Sequence, residues 1–214
     1  MPELRLTGAS YRYPEGEQDV FTGLDLDLRP GRPVWLRGPN GAGKTTLLEV
    51  MAGLRTLTRG TVTWDGEAPR RGALVYLPTE PFVVDELDAE EHTGLVADLW
   101  CLAGSRRTGY IGRVRALRRL LDLDTGRTPA GSYSQGMKEK LAFSLLLGLE
   151  PSALLLDEPF TALDVESLAT CQGLLRARAD TMLVVLSSHL DQIAAPMRPT
   201  TVHLGRPSLV GEPA

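Results

Sequence analysis

The sequence predicts an α/β fold: a parallel-sheet core, an antiparallel β layer on its N-terminal side, and an inserted α-helical subdomain at about residues 82–148. Three observations carry that prediction. Two uninterrupted apolar runs, Ala153-Leu154-Leu155-Leu156 and Met182-Leu183-Val184-Val185-Leu186, have the character of strands covered on both faces. Residues 3–7 and 24–28 alternate apolar and polar, as strands with one wet face do. Val34-Trp35-Leu36 feeds the loop Gly38-Pro39-Asn40-Gly41-Ala42-Gly43-Lys44-Thr45-Thr46, and a helix-like run at 47–51 follows. That loop fits G-x-x-x-x-G-K-[ST] in the strand–loop–helix context the motif requires.

In chain order, residues 3–7 read as an edge strand, and Tyr11-Arg12-Tyr13-Pro14 leads into a turn-rich loop. A second strand at 24–28 ends at Pro30-Gly31, and the helix after the loop closes near Gly53. Thr61-Val62-Thr63-Trp64 with Asp65-Gly66 reads as a strand and tight turn. Leu74-Val75-Tyr76-Leu77 is a short buried strand stopped by Pro78. Asp88 and Glu91 have the spacing of a capping box opening a helix. A second helix is expected from about 108 to 122. Its flank carries Arg106, Arg107, Arg113, Arg115, Arg118 and Arg119, read as a solvated face, with contact to a partner or acidic lipid as the alternative. His92 reads as a plain surface or core residue. A helix at 165–179 separates the two apolar runs, and residues 200–204 and 208–210 supply two short strands.

Composition narrows the class. The chain has 214 residues, 43% hydrophobic and 23% charged, as soluble globular proteins do. A net charge of −4 and a pI near 5.5 argue against a nucleic-acid binder, so no nucleic acid is expected. Of 23 basic residues only Lys44, Lys138 and Lys140 are lysines, which gives weight to a lysine in the loop. Cys101 and Cys171 lie far apart with no second ligand nearby, which suggests neither disulfide nor zinc. No signal peptide is read at the N-terminus. The longest apolar stretches are too short to cross a bilayer, so any membrane partner must do the spanning.

The chemistry follows from the motifs. Glycines let the backbone wrap an anion, and the N–H groups of the loop and of the next helix aim positive dipoles at phosphate. Lys44 reaches the outer phosphates and the Thr45 hydroxyl ligates Mg²⁺. Asp157 and Glu158 stand at the C-terminal end of a buried strand, where ligands bind in parallel sheets. Asp157 fits the acid that holds Mg²⁺, and Glu158 a base that polarises the attacking water. His189 follows another buried strand at the corresponding edge, where its imidazole can hydrogen-bond the γ-phosphate. Ser134 is a good N-cap and Gly136 clears space for an anion, which makes a second anion site for which the first nucleotide has no obvious room.

This set resembles the nucleotide-binding subunit of ATP-binding cassette (ABC) transporters, over essentially the whole chain (1–214) as a single ATP-binding domain. Residues 38–46 match the Walker A loop of P-loop NTPases, and Tyr133-Ser134-Gln135-Gly136-Met137 the signature. Residues 154–158 match Walker B, Ala162-Leu163-Asp164 the D-loop and His189 the switch histidine. Tyr13 sits where such proteins carry the aromatic that stacks on adenine. The resemblance implies ATP hydrolysis with Mg²⁺, powering transport through an integral-membrane permease at the cytoplasmic face of the cell membrane. It also implies a head-to-tail dimer, of two copies or of this chain with a related subunit. Ser134, Gln135 and Gly136 would then act in trans on the ATP held by Lys44 of the other protomer.

Two departures stand out. The usual Leu-Ser-Gly-Gly-Gln signature is altered at Tyr133, Gln135 and Met137, while Ser134 and Gly136 remain. Thr79, followed by Glu80, stands where a glutamine usually helps ligate Mg²⁺, so the resemblance gives Thr79 no role. The signature and the Tyr76-Leu77-Pro78 context lean toward exporter-type cassettes. The alternative is a soluble ABC ATPase acting on ribosomes or DNA, but such relatives tend to carry two cassettes or a coiled-coil insertion. A GTPase would carry Asn-Lys-x-Asp, which is absent from the sequence.

Overall fold

Two sheets organise the computed structural model, which describes residues 3–67 and 74–205. Strands β1 (Leu4–Tyr11), β2 (Phe21–Leu28) and β4 (Arg59–Trp64) form an antiparallel layer in the order β2-β1-β4. Strands β3 (Val34–Arg37), β5 (Leu74–Leu77), β6 (Ala153–Leu156), β7 (Leu183–Ser187) and β8 (Thr200–His203) form a parallel sheet, ordered β5-β6-β7-β3-β8. The first strand is therefore central rather than an edge. Alternation reports which face is wet, and says nothing of how many neighbours a strand has. Leu4, Leu6, Leu24 and Leu28 line its dry side and pack against Val34, Leu36 and Leu155 of the second sheet.

Every residue of β6 and β7 is buried, as the unbroken apolar runs require. Each leucine taken fully out of water contributes ~1.5–3 kcal/mol, so these short strands anchor the core. Helices cover both faces: α1 (Lys44–Met51) packs toward the antiparallel layer, and α5 (Val165–Arg178) lies on the other side with Cys171 against β6 and β7. Desolvation pushes the Cys171 thiol up to about 12, leaving an inert core residue. A short helix, α6 (Asp191–Ala194), follows β7. The expected strand at 208–210 lies outside the described residues.

Between β5 and β6 come α2 (Ala89–Leu99), α3 (Gly104–Leu120) and α4 (Gln135–Gly148). They share an apolar cluster of their own that includes Ala97, Tyr110, Val114, Tyr133 and Leu141. Asp88 caps α2 as the spacing predicts. Its carboxylate accepts from the Glu90 and Glu91 amides at 2.8 Å, and Glu91 accepts from the Asp88 amide at 2.8 Å. His92 is a core residue: its Nε2 accepts from the Val84 amide at 2.9 Å. Helix α3 begins at Gly104, four residues before the expected start, and its arginines are not simply solvated. Arg115 and Arg118 both reach Glu90 at 2.8 Å, Arg107 pairs with Asp98, and Arg113 donates to the Gly148 carbonyl at 2.8 Å. Helical periodicity places these guanidiniums on one flank, but only the packing of α2 and α4 supplies their acceptors. No helix among the described residues is long and apolar enough to cross a membrane.

Candidate functional site

Strand register brings the motifs to one edge. In the parallel sheet Leu36 pairs with Ser187, and Leu156 with Leu186. The loop leaving β3, Asp157-Glu158 leaving β6 and Ser187–His189 leaving β7 therefore emerge together at the C-terminal edge, where parallel sheets bind ligands.

Gly43 opens α1 with φ 88°, and a Cβ there would lie 2.6 Å from Val20 Cγ1, so both backbone shape and space demand glycine. Lys44 is buried, and its ammonium donates to the carbonyls of Gly38 (2.9 Å) and Pro39 (3.2 Å). An ammonium has three protons, so one remains for a phosphate oxygen while the other two fix the cation inside the loop. Thr45 is exposed and Thr46 buried. The Thr46 hydroxyl lies 2.8 Å from the Tyr13 hydroxyl, which ties that ring to the loop. The Tyr13 ring is 40% exposed, edge-on to Tyr11 at 5.2 Å and 5.0 Å from the Arg55 guanidinium. Arg55 in turn pairs with Glu49, the main cause of its raised pKa.

Asp157 is buried and acts as a hub. Its Oδ1 accepts from Ser187 Oγ at 2.6 Å, and its Oδ2 accepts from the hydroxyls of Thr79 (3.2 Å) and Tyr76 (3.4 Å). Burial, then the Asp157 charge, raises the Tyr76 pKa, so the phenol stays a donor. Glu158 adopts φ 45°, a left-handed conformation costing on the order of 1–3 kcal/mol for a non-glycine residue. Its amide is held by Ser187 Oγ at 2.9 Å, and its Oε2 lies 3.1 Å from the His189 amide and 2.8 Å from His189 Nδ1. Ser187 thus fixes both acidic residues at once.

On α4, Ser134 is the N-cap, accepting from the Met137 amide at 3.2 Å, and Ser134 and Gln135 are exposed. Neither is hydrogen-bonded to residues 38–46 among the described residues. Gly136 has a reason within the chain as well: a Cβ would sit 2.5 Å from the Ala162 carbonyl oxygen. Asp164 caps α5, accepting from the Ser167 amide and hydroxyl at 2.8 Å each and pairing with Lys140 at 3.2 Å. The Ser167 amide, then its hydroxyl and Lys140, hold the Asp164 carboxyl well below the usual carboxylate range. A separate cavity of about 310 Å³, lined by Arg32, Arg176 and Arg198 among others, lies at the opposite end of β3 from the loop.

The donor set suits a hydrated divalent cation. No group of three His, Cys, Asp or Glu side chains forms a closed metal cage among the described residues. Mg²⁺ in nucleotide sites needs none, since one or two protein oxygens, phosphates and waters complete its shell. The Thr45 hydroxyl and the Asp157 carboxylate are oxygens of that kind.

Sequence reasoning noticed Thr79 without giving it a role, and it missed Ser187 and Glu139. Ser187 ends an apolar run without any motif of its own. Glu139 is buried one helical turn from Gly136 and Phe143, so 3.6-residue periodicity would have put it on the inward stripe.

Comparisons with known proteins give the family and the fold. The family described as ABC transporter is matched over residues 21–161. The chain is 34% identical over 184 residues to the cytochrome c biogenesis ATP-binding export protein CcmA of Cupriavidus pinatubonensis, covering 83% of this chain and 80% of that protein. It is 32% identical over 197 residues to the probable multidrug ABC transporter ATP-binding protein YbhF of Escherichia coli, covering 88% of this chain and 34% of that one. Among solved structures, an ATP binding subunit of an ABC transporter matches with a TM-score of 0.83 at 28% identity, over 94% of this chain and 85% of that chain. A dimeric ATP-binding cassette in a post-hydrolysis state, bound to ADP and Pi, shares the fold with a TM-score of 0.80 at 22% identity, over 94% of each chain. The family model covers the loop at 38–46 and the Asp157-Glu158 strand end, and the chain belongs to the ABC transporter family, as one of its ATP-hydrolysing nucleotide-binding subunits.

Proposed function

We propose that this subunit hydrolyses ATP to drive export through a separate integral-membrane permease, as a head-to-tail dimer at the cytoplasmic face of the membrane. The observation that carries the proposal is the Glu158–His189 pair, 2.8 Å apart on the sheet edge that also carries the Lys44 loop. Residues 38–46 and Lys44 bind the triphosphate, with Tyr13 beside the loop for the adenine ring. Thr45 and Asp157 hold Mg²⁺, which when bound neutralises charge on the phosphates. Glu158, its carboxylate oriented by His189, positions the attacking water in line with the γ-phosphate. His189 and Lys44 stabilise the charge that develops on the transferred group.

Ser134, Gln135 and Gly136 serve the γ-phosphate bound by a second subunit, a copy of this chain or a related one. Asp164 lies beside that interface. The names of the CcmA and YbhF relatives, an export protein and a probable multidrug transporter subunit, support the direction of transport.

Two measurements test the reading. Turnover per subunit is expected to rise with protein concentration, and the chain to co-purify with an integral-membrane protein. Concentration-independent turnover by a proven monomer would end the composite-site reading, and association with ribosomes or DNA instead of a membrane protein would end the transport reading.

A further inference from the structure

The segment that runs from Glu158 to Asp164 is laid along α4 and fastened to it by five contacts. Phe160 packs edge-on against Phe143, ring centroids 5.1 Å apart. Glu139 Oε1 accepts from the Thr161 hydroxyl at 3.2 Å, and its Oε2 accepts from the Ala162 amide at 3.3 Å. The Ala162 carbonyl fits where Gly136 lacks a side chain, and Lys140 pairs with Asp164. Only Glu139 among these is a buried ionisable group with no partner of opposite charge, at 4% exposure.

A carboxylate is a costly choice for a buried helix position, because desolvation disfavours its charge, and burial does raise the Glu139 pKa. Leucine would avoid that cost, yet it would leave the Ala162 amide and the Thr161 hydroxyl without their acceptor. A residue with oxygen at both contact points is what the loop backbone demands.

We propose that Glu139 is a positioning residue, locking the 158–164 segment to the first turns of α4 so that Glu158 and Ser134 belong to one rigid body. An event at the exposed Ser134 turn, such as contact with a partner's nucleotide, then moves the segment carrying Glu158. This rests on the reading of Glu158 as the residue that positions water. Glu139 touches no substrate and acts only through the segment it holds.

The test compares Glu139→Gln with Glu139→Leu in the full chain. Glutamine keeps both contacts, its oxygen accepting from the Ala162 amide and its Nε2 donating to the Thr161 oxygen. The expected result is turnover within about twofold of wild type for Glu139→Gln. Glu139→Leu should lose at least tenfold in kcat with KM for ATP unchanged, and its Ala162 amide should exchange hydrogen at least tenfold faster. A melting curve confirms that both variants fold. Equal loss in the two variants, a change confined to KM, or normal kcat in Glu139→Leu overturns the proposal. Glu158→Gln in the same assay separates the two ideas. Wild-type turnover there removes Glu158 as the water-positioning group, while the exchange rate at Ala162 and the kcat of Glu139→Leu still decide whether Glu139 positions the segment.

Discussion

His189 grips a single oxygen of Glu158 twice, with its backbone amide 3.1 Å and its ring Nδ1 2.8 Å from Oε2. Two contacts on one oxygen restrain the carboxylate, and no hydrogen bond among the described residues uses Oε1. That is the arrangement a water-positioning carboxylate needs, since orientation is most of what a phosphoryl-transfer site must supply.

Glu158→Gln should therefore retain ATP binding and lose about 10²–10⁴-fold in kcat, equivalent to about 3–5 kcal/mol of barrier. Nucleotide binding by equilibrium titration and turnover by phosphate release check the two halves separately. Near-normal turnover would remove Glu158 from the role.

Thr79, which the sequence resemblance sets where a glutamine is usual, donates to Asp157 Oδ2 at 3.2 Å. Thr79→Val keeps the shape and deletes the donor. If Asp157 holds the cation, losing one hydrogen bond of about 1 kcal/mol should shift the Mg²⁺ concentration for half-maximal turnover by about fivefold. An unchanged Mg²⁺ dependence would show that Thr79 has no share in placing Asp157.

Glu139 gives a pH signature distinct from its effect on turnover. Burial raises its pKa above the ordinary 4.5, so the folded state holds this proton more tightly than the unfolded chain does. Its contribution to folding stability falls as pH rises from that ordinary value through the folded one. Glu139→Gln removes the titration, so the melting temperature of the variant relative to wild type should climb between pH 4.5 and pH 8. A difference that is flat or falling across that range contradicts the assignment.

Asp88 closes a complete capping box on α2. Asp88→Ala should cost about 0.5–2 kcal/mol, a fall of roughly 2–4 °C in Tm per kcal/mol for a chain of this size. Asp88→Asn keeps an acceptor and should lose much less. Equal loss in both variants would place the effect in charge rather than capping.

Much of this protein is legible along the chain because its chemistry is local. The loop at 38–46, the apolar runs ending in Asp157-Glu158 and Ser187-Ser188-His189, and the Asp88–Glu91 box each depend on residues a few positions apart. Backbone geometry alone turns such spacing into structure. The central place of β1 and the pairing of the α3 arginines with Glu90 and Asp98 were not legible, because they depend on which elements become neighbours. The same holds for the work of Thr79, Ser187 and Glu139. Thr79 meets Asp157 across 78 residues, Ser187 meets it across 30, and Glu139 reaches Ala162 across 23. A lone hydroxyl or carboxylate has no meaning in a sequence until packing supplies its partner. The sequence by itself determined that a triphosphate loop and a strand end carrying two acids exist. Only the tertiary structure decided that one serine would bind both acids and that one buried glutamate on α4 would bond Thr161 and Ala162, since hydrogen bonds act over about 3 Å and the chain order does not record that distance.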